Sequence, residues 1–199
     1  MIDLLHLVEE FYVHLNPDIA ICNSTLNGWT QAAKKASDVQ PGIASAQKAE
    51  ELLYRLLKKD REESDMFPRP DEYSFLMTMN AYAHVAAIAL SGGKVSYGQN
   101  AATRLDHLLN TLQKQPLKIN KTALACYGVV IRTWASLGNI NRAQAVLDEM
   151  IKISGHLALD LIHFNSVLDA SAEALKSEKD HGERIACRGV LATQMFIKC

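Results

Sequence analysis

Cys22-Asn23-Ser24-Thr25-Leu26-Asn27-Gly28-Trp29 returns three more times along the chain. The copies are Phe75-Leu76-Met77-Thr78-Met79-Asn80-Ala81-Tyr82, Tyr127-Gly128-Val129-Val130-Ile131-Arg132-Thr133-Trp134 and Phe164-Asn165-Ser166-Val167-Leu168-Asp169-Ala170-Ser171. Each opens on a bulky apolar or thiol residue and places an aliphatic one four positions later: Leu26, Met79, Ile131, Leu168. That spacing marks one face of a helix. A second stripe follows each opening, most clearly in Ala143-Gln144-Ala145-Val146-Leu147-Asp148-Glu149-Met150. The same cadence is present in Ala49 to Leu56, in Leu105 to Leu112 and, more weakly, in Arg188 to Met195. Apolar or small residues at i, i+3, i+4 and i+7 make an amphipathic helix that cannot bury its stripe alone. Stacking on neighbouring copies buries it, and repetition at this period is the mark of such architectures. The sequence therefore predicts an all-α fold, a right-handed α-solenoid of antiparallel helix-turn-helix units.

Breakers divide the units. Gln40-Pro41-Gly42, Ser91-Gly92-Gly93, Gly138-Asn139 and the polar 176–182 stretch are expected between the two helices of a unit. Pro17-Asp18, Pro68-Arg69-Pro70-Asp71, Pro116 with Asn120, and Gly155 with Asp160 are expected between units, where Asp or Asn can cap the next helix. The reading is a partial unit over 1–18, represented by its second helix, and full units over 19–71, 72–123, 124–160 and 161–199. Leu4, Leu5, Val8, Phe11, Tyr12 and Leu15 supply the stripe of the partial unit. Polar surpluses over 34–45, 61–69 and 91–99 are assigned to loops, whose lengthening costs little closure entropy.

Composition excludes several classes. Charged residues are 22% of the chain and the formal net charge is -1, too balanced for a strongly basic nucleic-acid binder or a disordered chain. No uninterrupted apolar run approaches the roughly 20 residues that span a bilayer. The four cysteines, Cys22, Cys126, Cys187 and Cys199, are widely spaced and read as reduced thiols of an intracellular protein, without zinc-ligand spacing. The acidic start, with Asp3, Glu9 and Glu10, is unlike an arginine-rich transit peptide. Either the mature chain carries no targeting signal or the sequence begins inside a longer one. Ser91-Gly92-Gly93-Lys94 lacks the complete phosphate-loop pattern, and His163 with Asp160 has no nucleophile tied to it. No enzymatic activity, cofactor, metal or small-molecule substrate is expected.

Pro17-Asp18-Ile19-Ala20-Ile21-Cys22-Asn23-Ser24-Thr25-Leu26-Asn27-Gly28 resembles the start of a pentatricopeptide repeat, and Tyr127 to Met150 with its Gly138-Asn139 turn fits that motif well. The resemblance covers essentially the whole chain, although Cys22 to Phe75 and Phe75 to Tyr127 exceed the usual period of about 35 residues. It implies a single-stranded RNA-binding module within an organellar (mitochondrial or plastid) RNA-processing or translation factor, reading about one base per repeat. The residue after the first-turn aromatic, which the resemblance turns toward the base edge, is Asn23, Leu76, Gly128 and Asn165. Its partner ahead of the next repeat is Asp18 for the partial unit, then Asp71, either Asn120 or Ala123, and Asp160. Asn23 with Asp71 is the pair that in this family favours uracil; Asp160 stands beside Gly128 without a second polar side chain. The basic residue the family often adds two places after Trp29, Tyr82, Trp134 and Ser171 is replaced here by Gln31, His84, Ser136 and Glu173.

The residues also admit plainer roles. Asn23 and Asn165 can bond a neighbouring repeat or cap a helix, Asp71 and Asp160 can be N-caps, and Trp29, Tyr82 and Trp134 read as core. A protein-interaction scaffold is therefore the alternative function, supported by near-neutral charge and by two repeats without base-reading side chains.

Overall fold

A computed structural model of the chain describes residues 18–58, 68–154 and 165. Among these are six helices and no strand: α1 (Ile19–Lys34), α2 (Val39–Lys58), α3 (Glu72–Ser91), α4 (Val95–Gln113), α5 (Lys121–Ser136) and α6 (Ile140–Ser154). The partial unit, and the last unit apart from residue 165, lie outside the described residues.

Local chemistry sets the helix ends. Asp18, Asp71 and Asn120 each accept a hydrogen bond from a backbone N–H of the following first turn, at 2.8, 2.8 and 2.9 Å. These caps satisfy amides that have no partner within their helix. The turns within α3–α4 and α5–α6 end alike: Gly93 (φ 67°) and Gly138 (φ 76°) take the left-handed conformation that favours glycine. The next residue then donates five positions back, Lys94 to Ala89 and Asn139 to Trp134.

Two expected loops are shorter than the sequence suggests, while most of the third, 61–69, lies outside the described residues. Gln40-Pro41-Gly42 is not the turn between α1 and α2, because α2 already begins at Val39 and residues 35–38 make the turn. Pro41 fits there because a first-turn residue has no intrahelical acceptor for the N–H that proline lacks. Gly42 sits where α2 meets α3, with Val85 and Ile88 methyls 3.5 and 3.7 Å from where its Cβ would stand. The 91–99 stretch likewise belongs mostly to α4, which starts at Val95. Much of the added length between repeats is therefore carried by longer helices.

Turns of three or four residues fold each helix pair back on itself, α1 on α2, α3 on α4 and α5 on α6. First helices then pack in series, α1 on α3 and α3 on α5, while α2 and α4 pack against the first helix of the next pair. One continuous core runs through all six, with Leu26, Phe75, Met79 and Ile131 fully enclosed, so among the described residues the stripes seen in sequence are the buried ones. This all-helical arrangement is compatible with a helical-repeat fold. In the central helix α3, length and apolar composition alone would suit a membrane span, with 56% of that window buried inside the fold. Its apolarity follows from contact with α1, α2, α4 and α5 at once.

Two of the polar junctions between units share one composition. At the first, Glu50 of α2, only 4% exposed, accepts a hydrogen bond from the Tyr82 hydroxyl of α3 and another of 2.9 Å from Arg104 of α4. At the second, Asp106 of α4 accepts from Trp134 Nε1 of α5 at 3.2 Å and from two nitrogens of Arg142 of α6 at 3.0 Å each. Each joins a carboxylate of one second helix to an aromatic donor and an arginine of the next unit. Burial and the Glu50 charge push the Tyr82 hydroxyl well above its ordinary pKa, so it donates and stays neutral.

Candidate nucleic-acid interface

The residues singled out for base reading begin with Asn23, in the second turn of α1, and Asp71, immediately before α3. The packing of α1 on α3 brings them together. Asn23 Nδ2 donates to both Asp71 carboxylate oxygens at 3.2 Å, and the Ser74 hydroxyl lies 2.7 Å from Asn23 Oδ1 and 2.9 Å from Asp71 Oδ1. Ser74 completes a capping box, its hydroxyl accepting from the Asp71 N–H at 3.2 Å. Asn23 is consequently only 9% exposed. The cluster ties two units and caps a helix, and its polar groups are largely engaged with one another.

The other candidates are not assembled in this way. Asp18 is exposed and caps α1, Gly128 is buried in α5, and Leu76 is half-buried in α3. Asn165 is helical and exposed, while Asp160 lies outside the described residues. The choice between Asn120 and Ala123 follows from register. Asp71 stands eleven residues before Tyr82, and the residue eleven before Trp134 is Ala123, buried inside the first turn of α5. Asn120 is the cap of a helix that starts nearly one turn earlier than its counterparts.

A broader pattern appears when the first helices are aligned on Trp29, Tyr82 and Trp134. Two residues before each aromatic stand Asn27, Asn80 and Arg132; two after it stand Gln31, His84 and Ser136. The four-residue step places both rows on the same helical face as Asn23, Leu76 and Gly128. All six side chains in these rows are exposed or half-exposed. Asn27 and Gln31 are joined by a 3.4 Å hydrogen bond, whose length leaves both amides available to other partners.

Carboxylates are scarce within the first helices and stand mainly at their caps, Asp18 and Asp71. Among the described residues α1, α3 and α5 hold one acidic side chain, Glu72, whereas α2, α4 and α6 hold Glu50, Glu51, Asp106, Asp148 and Glu149. The first-helix layer adds the cations Lys34, Lys121 and Arg132, with Lys35 just beyond α1. Burial, and then the Lys34 charge, lowers the pKa of His84, which keeps it neutral near pH 7. The face is therefore rich in hydrogen-bonding groups, weakly positive and without carboxylates in its two exposed rows. Gln31, His84 and Ser136 stand where the family often has a cation, and the signal in the sequence that points to this face is the scarcity of acids in the three first helices, Glu72 alone excepted.

The cysteines Cys22 and Cys126 are buried, and burial lifts their thiols to about 11 and about 12 respectively, which suppresses thiolate chemistry. No family model, curated protein or solved structure matches the chain.

Proposed function

We propose that the chain is part of a right-handed α-solenoid of the pentatricopeptide type that binds single-stranded RNA along the exposed rows of its first helices. It acts without catalysis, within an organellar RNA-processing or translation factor. The observation that carries this reading is the aligned face of Asn27, Gln31, Asn80, His84, Arg132 and Ser136, which has no carboxylate to repel a polyanion. Amides and imidazole offer donors and acceptors to base edges and ribose hydroxyls, while Arg132 and the lysines at its margins meet phosphate. With so few cations, affinity should fall only gently with salt. Asn23 and Asp71 serve first as a junction between repeats, and a base approaching them meets a preoriented amide.

The protein-scaffold reading draws on a different observation. Asn23 is nearly enclosed and already bonded to Asp71, while Leu76 and Gly128 present no polar side chain at the equivalent positions.

Fluorescence-anisotropy titration with labelled single-stranded RNA decides between them. Wild type is expected to bind, and Gln31→Glu with Arg132→Glu, which place two carboxylates on the face without touching the core, should weaken binding by tenfold or more. Absence of binding by wild type, or equal affinities for both proteins, would favour the scaffold.

A further inference from the structure

Successive helix pairs meet along two layers, and only one layer is fastened alike at both boundaries. In the second helices Glu50, Asp106 and Gln144 share one register position, two residues after Lys48, Arg104 and Arg142. Glu50–Arg104 at 2.9 Å ties α2 to α4, and Asp106–Arg142 at 3.0 Å ties α4 to α6 in the same way. Gln113 of α4 adds a second tie to α6, donating to Glu149 at 2.8 Å. α4 also holds α5, through Asp106 with Trp134 and Gln113 with Tyr127.

The first-helix layer does not repeat. α1 is tied to α3 by the Asn23–Asp71–Ser74 cluster and again, two turns along, by Thr30. The buried Thr30 hydroxyl lies 2.9 Å from the Leu26 carbonyl oxygen and 2.8 Å from that of Met77 across the seam. Between α3 and α5 the matching positions hold Leu76 with Ala123, Cys126 in place of Ser74, and Ala83 in place of Thr30. Among the described residues the one hydrogen bond from α3 to α5 is a weak one, from the Cys126 thiol to the Glu72 carbonyl at 3.8 Å. The remainder of that seam is apolar packing. A hydrogen bond fixes distance and angle, whereas apolar contact is non-directional and lets packed helices shift by about 1 to 2 Å.

We infer that α5 and α6 swing together about their ties to α4, opening and closing the seam between α3 and α5, while α1 to α4 form one stiff body. The swing varies the distance from Asn80 and His84 to Arg132 and Ser136 on the exposed face, and leaves Asn27 and Gln31 at a fixed distance from Asn80 and His84. It is a property of the packing and does not depend on what the face binds.

The test is electron paramagnetic resonance on frozen, spin-labelled full chain. Cys187→Ser with Cys199→Ser gives the parent, which, labelled alone, sets the background from the buried Cys22 and Cys126. In that parent, Gln31→Cys with Ala87→Cys spans the α1–α3 seam and Ala87→Cys with Ser136→Cys spans the α3–α5 seam, all three positions being exposed. The distance distribution of the second pair should be wider than that of the first by about 1 to 2 Å. Adding Asn23→Ala and Thr30→Ala should broaden the first pair toward the second. Equal widths for the two pairs overturn the inference without those ties having to be removed. So does a first pair that stays narrow after both are gone.

Discussion

Asn23 and Asp71 lie 48 residues apart in sequence and are joined by a two-pronged hydrogen bond, 3.2 Å from one amide nitrogen to each carboxylate oxygen. Asp71 also caps α3, so its loss removes both a cap and a contact between units. Asp71→Ala should therefore destabilise by about 2 kcal/mol, the upper end of the range for lost caps. Asn23→Ala should cost about 1 kcal/mol, a typical net hydrogen-bond contribution. The double mutant should fall short of the sum by roughly 0.5 kcal/mol or more, because the two side chains share one interaction. Urea unfolding of the four proteins measures this coupling, and strict additivity would mean that the bond contributes nothing to folding.

Arg104 and Tyr82 both serve Glu50, but their removal should not be equivalent. Tyr82→Phe deletes one neutral donor and should cost about 1 kcal/mol. Arg104→Ala leaves a buried carboxylate without its counter-charge. Because the arginine itself is half-exposed, the expected cost is about 2 kcal/mol, below that of a fully buried pair. Denaturant midpoints should rank wild type, Tyr82→Phe and Arg104→Ala in that order of decreasing stability.

Two glycines should respond in opposite directions to alanine. Gly28 lies within α1 and an added Cβ would meet nothing within 4 Å, so Gly28→Ala should stabilise by about 0.5 to 1 kcal/mol. Gly138 has φ 76°, and alanine there must occupy a backbone region it rarely adopts. Gly138→Ala should destabilise by about 1 kcal/mol or more. Thermal melts of the two variants check the signs.

Acid should weaken the fold partly through His84. Its pKa in the folded chain lies below the unfolded value of about 6.5. The unfolded state therefore binds a proton more readily, and stability present above about pH 6.5 is lost as the pH falls through and below that value. Stability measured from pH 7.5 to 5 should decline less steeply in His84→Gln than in wild type. An unchanged slope would show that His84 titrates alike in both states.

The stripes of the core were legible because Leu26, Met79 and Ile131 recur with a helical period and nothing else in the fold competes for them. The turns at Gly93 and Gly138 were legible for a similar reason, since their left-handed backbone favours one residue type. Pro41 misled because proline reports that an N–H is unneeded, which holds in a loop and equally in a helix's first turn. The meeting of Asn23 with Asp71 could be anticipated from repeat register, but Ser74, which encloses the pair, could not be weighted before α3 had a defined start. The junctions of Glu50 with Tyr82 and of Asp106 with Trp134 were hidden for another reason. Their partners lie 32 and 28 residues apart, with spacings set by helix and loop lengths that differ between units.

Those junctions also bear on how such a chain changes its copy number. The 72–123 unit presents an acid, Asp106, at one boundary and an aromatic donor with an arginine, Tyr82 and Arg104, at the other, so these two contacts are built from interchangeable parts. Excision of residues 72–123 would set Glu50 opposite Trp134 and Arg142, chemically the same company it keeps now. Duplication of that unit would set Asp106 opposite a second Tyr82 and Arg104. Lengthening or shortening by whole units thus preserves the contact grammar, and Gln144, with an amide where the acids stand, marks the boundary at which that interchangeability stops.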